Sequence, residues 1–356
     1  MAKWQSLLLS SLLLLGACAS PPPESGSSDG STESAEAPAV QSRLDVVKSR
    51  GKLICGVDGA IPGFSFVDET GAYSGIDVDV CKAVASAVLG DPDAVEYRNL
   101  DSTERFTALS GGEVDMLSRN TTWTTSRDTS VGLEFAPTTF YDGQGMMVRK
   151  DSGLTTLKDF ANKAVCVEAG TTTELNLTDN MREAGVEAEI VTFQQADPAY
   201  AAYSEERCDG MTSDKSQLIA RRSTLPNPDD HILMDVTMSK EPLGPVTINN
   251  DSAWFDVVKW TTYGLIEAEE LGITAGNVEQ MKGSDNPTIR RFLGVEGDLG
   301  TGLNLNNDFM ANVISSVGNY GEIYERNLGK QSQFQLERGQ NDLWTRGGLL
   351  YSPPFR

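Results

Sequence analysis

The feature that most narrows the fold is an alternation of short apolar strands with helices that runs once, restarts, and then returns. Lys52 to Val57 reads as a strand ending at Asp58-Gly59. Ile76, Val80, Val84 and Val88 recur at four-residue spacing, one apolar stripe of a helix. Val95 and Tyr97 alternate with polar residues in a second strand. Asp101-Ser-Thr-Glu104 has the form of a capping box opening a helix through Phe106 and Leu109. Val114 to Leu117 is the next strand. This order implies parallel strands joined by right-handed crossovers.

The pattern then restarts. Short helix Leu157–Asn162, strand Ala164–Glu168 and a helix from Thr172 are followed by strand Ile190–Phe193 and a helix opened by Asp197-Pro198. Strand Asp209–Thr212, helix Lys215–Arg222 and strand Ile232–Val236 complete the second unit. Trp254, Val257, Val258, Thr261 and Leu265 form a further helical stripe, with helices expected near Asp308–Val317 and Gly339–Trp344. The fold class is α/β, with a second unit inserted into the first to give two lobes. Two chain crossings, near Gly145–Arg149 and Glu241–Ile248, are read as the hinge. The expected divisions are 42–146 and 244–300 for the first lobe and 147–243 for the second, with 301–356 a C-terminal extension packing on the first lobe.

The N-terminus reads as a targeting segment. Lys3 supplies the positive charge, and Leu7–Leu15 is an apolar run too short to span a bilayer as a mature helix. It ends in Leu15-Gly16-Ala17-Cys18, which suits lipoprotein cleavage after residue 17 and acylation of Cys18. An ordinary secretory signal that happens to contain Cys is the alternative. Residues 18–41, rich in Pro, Ser, Glu and Gly, read as a flexible tether. Export places the chain in an oxidising compartment, on the periplasmic side of the inner membrane. The remaining cysteines, Cys55, Cys81, Cys166 and Cys208, then suggest two disulfides. Of the three possible pairings, Cys55–Cys81 with Cys166–Cys208 is expected, because it keeps each bridge within one lobe.

With 51 acidic against 29 basic residues the net charge is −22. A nucleic-acid partner needs a basic face and is not expected. No metal site is expected either: the cysteines lack close ligand spacing, and His231 is the single histidine. No nucleotide, esterase or metalloprotease motif is present, and no cofactor is implied. Asp77 and Asp79 read as a solvated helix start.

In a sheet of this kind ligands bind beyond the carboxyl ends of the strands and between lobes. That places Asp58, the Arg119–Arg127 segment, Gly170–Thr173 and Ser213–Asp214 at the site. Arg127 could bind a carboxylate through two parallel hydrogen bonds, or cap a helix beside Asp128. Thr171 and Thr172 open a helix whose free amides suit an anion, although a Thr cap is common on any helix. Asp214 could accept from an ammonium, or N-cap the helix at 215–222. Asp58 is a second acceptor or a turn residue. Arg105 and Arg119 could pair a ligand side-chain carboxylate, or serve as structural arginines. Phe64 and Trp123 could pack over the ligand stem, or lie in the core.

Gly51-Lys-Leu-Ile-Cys-Gly-Val57, Gly75-Ile-Asp-Val-Asp-Val80, Leu117-Ser-Arg-Asn-Thr-Thr-Trp-Thr124, Ala169-Gly-Thr-Thr-Thr-Glu-Leu175 and Lys240-Glu-Pro-Leu-Gly-Pro245 occur in order. With Arg105-Phe-Thr-Ala-Leu109, Gly112-Glu-Val-Asp115 and Gly318-Asn-Tyr-Gly-Glu-Ile323, they make the chain resemble the polar-amino-acid solute-binding proteins of bacterial ABC importers, nearest the general L-amino-acid branch. The resemblance implies a two-lobed, type II periplasmic-binding-protein-like fold that closes on its ligand and serves inner-membrane permease subunits, a monomer being sufficient for delivery. It implies Arg127 and the Gly170–Thr172 amides for a ligand carboxylate, and Asp214 for an ammonium, with Asn120 and Thr122 lining the pocket. Arg105 falls where acidic-amino-acid binders place a side-chain arginine. Ile61 stands where many relatives carry a stacking aromatic, which fits broad selectivity. The competing expectations are an enzyme on the same fold, such as a dehydratase of a prephenate-like acid with Asp58 or Asp214 as general acid, and a sensory domain, for which the chain supplies no signalling module.

Overall fold

The computed structural model describes residues 41–356. The expected signal peptide, Cys18 and nearly all of the tether lie outside the described residues. Two five-stranded sheets organise the chain. In the first, the spatial order is Val95–Asn99, Leu53–Val57, Met116–Leu117, Val246–Ile248, Leu133–Phe135. Leu53–Val57 runs parallel to both its neighbours, and Val246–Ile248 is antiparallel to both of its own. The second sheet repeats the plan: Glu189–Phe193, Ala164–Glu168, Gly210–Asp214, Gln144–Arg149, His231–Leu233. Ala164–Glu168 is parallel to its neighbours, while Gln144–Arg149 is antiparallel to both of its own. This is the two-lobed type II architecture that the alternating pattern and the resemblance imply.

The lobes are joined by a two-stranded ribbon in which Phe140–Asp142 pairs antiparallel with Glu241–Leu243. The second crossing therefore falls inside the expected segment, and the first does not. Gln144–Arg149 is a strand within the second sheet, buried from Gln144 to Val148, and the chain crosses just before it. A ribbon strand and a sheet strand separated only by Gly143 share one extended, apolar signature, so periodicity cannot divide them. The Asp101–Glu104 pair forms reciprocal hydrogen bonds, but the helix it precedes is Arg105–Ser110, with no side-chain cap at Glu104.

Asp77 and Asp79 are buried, contrary to the solvated reading. They begin helix Ile76–Leu89 because Gly75 adopts φ +126°, where a Cβ would lie 2.0 Å from the Phe64 carbonyl oxygen. Asp77 accepts from the Asn120 amide at 3.0 Å and from Ser118. Asp79 accepts from Arg326 and Asn327, which binds the C-terminal segment to this helix. Helices Phe309–Val317 and Tyr320–Asn327, with Leu343, Leu350 and Phe355, share one apolar core with the first lobe. Asn341 then pairs with both the amide and the carbonyl of Tyr141, on the ribbon strand. No helix among the described residues is long and apolar enough to cross a membrane.

The disulfides pair as expected, Cys55 with Cys81 and Cys166 with Cys208, one in each lobe. They close loops of 26 and 42 residues. On loop-closure entropy each stabilises the fold by roughly 3–4 kcal/mol, the longer loop slightly more. Replacing Cys166 and Cys208 by Ala should lower the unfolding free energy in urea by about that amount. An unchanged midpoint would show that this bridge contributes nothing to the folded protein.

Candidate functional site

Between the lobes, at the carboxyl ends of the parallel strands, lies a small cavity of about 30 Å³. The first lobe lines it with Ile61, Arg105, Arg119, Asn120, Thr122 and Arg127. The second contributes Glu168, the 171–173 threonines, Ser213, Asp214 and Gln217. Local chemistry sets each contributor. The loop after Met116–Leu117 carries Asn120 at φ +46°, held there by the Asp77 carboxylate on the Asn120 amide. Both amide atoms of the Asn120 side chain are buried without a protein partner among the described residues. Burial, opposed by the Asn120 and Ser118 hydrogen bonds, pushes the Asp77 carboxyl up to about 7.

Three guanidinium groups converge here, each less than a tenth exposed. Arg119 is paired on both sides, with Asp58 at 2.6 Å and Glu168 at 3.2 Å. Arg105 and Arg127 pair with no carboxylate among the described residues. Arg127 Nη1 donates to the Thr122 carbonyl at 2.8 Å, and its guanidinium stands 5.2 Å from the Phe106 ring centre. Arg105 lies over the same ring at 4.8 Å, and its Nε has no acceptor among the described residues. Burial, then the neighbouring Arg119 and Arg127 charges, holds Arg105 well below an ordinary arginine. Burial pushes Arg127 down to about 10, against the pull of Glu241 and Asp214. Buried cations of this kind are costly unless an anion meets them.

The opposite wall is the start of helix Thr172–Ala184. The Thr171 hydroxyl accepts from the Glu174 amide at 3.1 Å and donates to the Glu168 carbonyl at 2.6 Å. The first-turn amides of Thr172 and Thr173 have no intrahelical partners, which makes this end an anion-binding position. Gly170 precedes them at φ +70°, with Thr103 of the other lobe 3.2 Å from where a Cβ would stand. A side chain there would strain the turn and press the lobes apart.

Asp214 ends its strand buried, and it makes no cap hydrogen bond to the helix that follows. Its carboxyl is pushed well above the ordinary range by burial, then by the Asp142 and Glu241 carboxylates. Asp142 and Glu241 face each other in the hinge ribbon. Glu241 was not anticipated as a site residue. It accepts from Thr122 at 2.6 Å in the first lobe and from Thr172 at 2.8 Å and Asn176 at 2.9 Å in the second. Glu168 was missed as well. Its one signal was its place at the end of a strand leading into Gly170-Thr171-Thr172.

Of the expected residues, the structure gathers Arg105, Arg119, Asn120, Thr122, Arg127, Thr171, Thr172 and Asp214 around one cavity, with Asp58 behind Arg119. Phe64 and Trp123 are corrections. Phe64 is a core residue, packed edge-on against Phe140 at 5.1 Å. Trp123 is 44% exposed and lies against Phe135 outside the cavity. Aromatic identity alone does not separate a pocket wall from a core position. No group of His, Cys, Asp and Glu among the described residues is arranged to hold a metal.

Two similar lobes on a two-strand hinge, enclosing cations on one side and a carboxylate on the other, define a protein built to clasp a small charged molecule. Residues 53–330 match the family of bacterial extracellular solute-binding proteins, family 3, and the chain belongs to it. It is 52% identical over 315 residues to the general L-amino acid-binding periplasmic protein AapJ of Rhizobium johnstonii, covering 88% of this chain and 92% of that one. It is 47% identical over 319 residues to the glutamate/glutamine/aspartate/asparagine-binding protein BztA of Rhodobacter capsulatus, covering 89% and 94%. A solved ABC-transporter periplasmic binding protein from Brucella ovis, with glutathione bound, superposes with TM-score 0.87 at 48% identity, covering 89% of this chain and all of that one. The family and these relatives mark the protein as an amino-acid-binding component of an ABC importer, working outside the cytoplasm.

The raised Asp214 carboxyl has a stability consequence. Between its unfolded and folded pKa the native state holds more protons than the unfolded chain, so stability falls as pH rises through that window. Asp214→Asn removes this penalty. The ligand-free variant should be more stable than the parent at pH 7, by about 1 kcal/mol or more. That gain should vanish by about pH 2, below both pKa values, where the carboxyl is protonated in both states. Urea melts at the two pH values decide it, and a variant destabilised at pH 7 would make Asp214 a structural acceptor instead.

Proposed function

We propose that the protein captures L-amino acids, acidic and neutral polar ones in preference, and delivers them unchanged to inner-membrane permease subunits. The observation that carries the reading is the charge arrangement of the cavity. Among the described residues Arg105 and Arg127 have no carboxylate partner, and the Asp214 side chain makes no cap hydrogen bond. Two cationic positions and one anionic position match the two carboxylates and one ammonium of glutamate or aspartate. Arg127 and the Thr171–Thr172 amides would hold the α-carboxylate through charge-assisted hydrogen bonds. Asp214 would take the ammonium, and Arg105 would meet the side-chain carboxylate or amide. Asn120 and Thr122 would complete the lining. Arg119 and Asp58, already paired to each other, would shape the site rather than grip the ligand.

The names of the relatives support this range of ligands. AapJ is named for general L-amino acids and BztA for glutamate, glutamine, aspartate and asparagine. The Brucella protein holds glutathione, whose γ-glutamyl end carries the same α-amino and α-carboxylate groups. The dehydratase reading needs a general acid beside the substrate. Asp214 has the raised pKa, but the arginines around it match a zwitterion that is bound rather than converted. Anchoring through an acylated Cys18 is supported by the Leu15-Gly16-Ala17-Cys18 sequence, and delivery would need only a monomer.

Two measurements test the proposal. Calorimetric titration against the twenty amino acids, glutathione and prephenate should give micromolar or tighter binding of glutamate, glutamine or aspartate. Arg127→Ala should abolish it for all of them. Arg105→Met should weaken glutamate at least roughly tenfold more than glutamine, because it removes a charge contact in a desolvated site. Turnover of prephenate, or no amino-acid binding by folded protein, would sink the reading. Separately, Cys18→Ser should release the exported protein from the membrane fraction. Retention there would count against the lipid anchor.

A further inference from the structure

Arg119 differs from the other two guanidinium groups in the cavity. It belongs to the first lobe and sits between Asp58 of the same lobe, at 2.6 Å, and Glu168 of the second, at 3.2 Å. Its Nε donates to the Leu100 carbonyl at 2.8 Å. All three charged side chains are more than nine-tenths buried. Arg119 and Glu168 both line the cavity, and Asp58 closes the far side of Arg119. One cation is thus held by two anions, while Arg105 beside it pairs with none among the described residues. Glu168 and Asp58 are near enough to Arg105 for their charges to favour its protonated form.

We infer that Glu168 is a specificity-determining residue, whose carboxylate masks Arg119 and sets how strongly the site favours an anionic over a neutral ligand side chain. The inference rests on the amino-acid reading above. Glutamate and glutamine are nearly the same size and share the same α-groups, so they differ at this wall mainly by one charge. Arg105 attracts that charge, and Glu168 repels it from the same wall. With Glu168 ionised the net field is small, and both ligands are accepted. Removal of the Glu168 charge leaves Arg119 with one anion instead of two, and the field then favours glutamate.

Glu168 also joins the lobes, because its partner lies across the cleft. Loss of that contact weakens closure on any ligand of the same shape, and so cancels in a ratio of two affinities. The ratio reports charge selection alone. Asp58 supplies an independent check, since it faces the same guanidinium from within the first lobe and takes no part in the contact across the cleft.

The experiment is calorimetric titration of the full chain, as wild type, Glu168→Gln, Glu168→Asp and Asp58→Asn, with glutamate and with glutamine. Glu168→Gln should raise the Kd of glutamine relative to that of glutamate by roughly tenfold, the scale of one charge at this range in a partly desolvated site. Asp58→Asn should move the ratio in the same direction. Glu168→Asp, which keeps the charge, should restore the wild-type ratio. A purely structural role would weaken both ligands equally in every variant and leave the ratio fixed, and that result overturns the inference. If Glu168→Gln does not fold, Asp58→Asn carries the same measurement. Wild-type protein that binds neither amino acid overturns the receptor reading itself, and this inference with it.

Discussion

Burying three guanidinium groups in one cleft is the constraint around which both lobes are arranged. Each must lose water, and they are supported in two ways. Arg119 is met by two carboxylates from opposite lobes. Arg105 and Arg127 rest against one aromatic neighbour, Phe106, whose π-face offers modest compensation. Phe106 itself packs beside the small apolar cluster of Leu109, Val114, Leu117 and Val246. The position of the charges therefore depends on strand packing well below the cavity floor. A loss of packing there would misplace two cations at once.

The hinge carries a second electrostatic load. Asp142 and Glu241 face each other in the ribbon, with Asp214 near both. Among the described residues Glu241 accepts from four side-chain donors drawn from both sides of the cleft: Thr122, Thr172, Asn176 and Ser239. Asp142 accepts from the Ser216 amide and hydroxyl and from the Gly143 amide. Those donors are used up within the protein, whereas Asp214 is left facing the cavity. Satisfied carboxylates at the hinge and an unsatisfied one at the ligand position form a gradient. It leaves the Asp214 carboxyl as the hinge-side acid that faces the cavity.

Most of the fold was legible because each lobe is built from local βαβ units, which announce themselves by period and by turn residues. Strand Ala164–Glu168 and helix Lys215–Arg222 fall where the pattern places them. Several of the errors share one cause, contacts made far along the chain. Asp77 and Asp79 look solvated from their neighbours, but their partners are Asn120 and Arg326. Phe64 lies six residues past the strand end at Asp58, yet it meets Phe140 in the core. Glu168 and Glu241 are ordinary acidic residues until the lobes are brought together. Arg119 and Arg127 were easier to find, because they follow a strand whose carboxyl end points to the ligand position in a sheet of this kind.

The C-terminal segment completes the physical picture. A two-lobed chain must hold each lobe rigid while leaving the ribbon free to bend, since a site assembled from both sides works only if each side keeps its own geometry. The disulfides cross-link strand Leu53–Val57 to helix Ile76–Leu89 in one lobe and Ala164–Glu168 to Cys208 in the other. Asp79 binds Arg326 and Asn327, and Arg338 pairs with Glu269 while lying over Tyr320 and Tyr324, so the extension braces the first lobe from behind. The Asn341 side chain meets the Tyr141 backbone, on the edge of its strand away from Glu241–Leu243. That contact satisfies an edge that would otherwise lie open, and it leaves the pairing between the two ribbon strands intact.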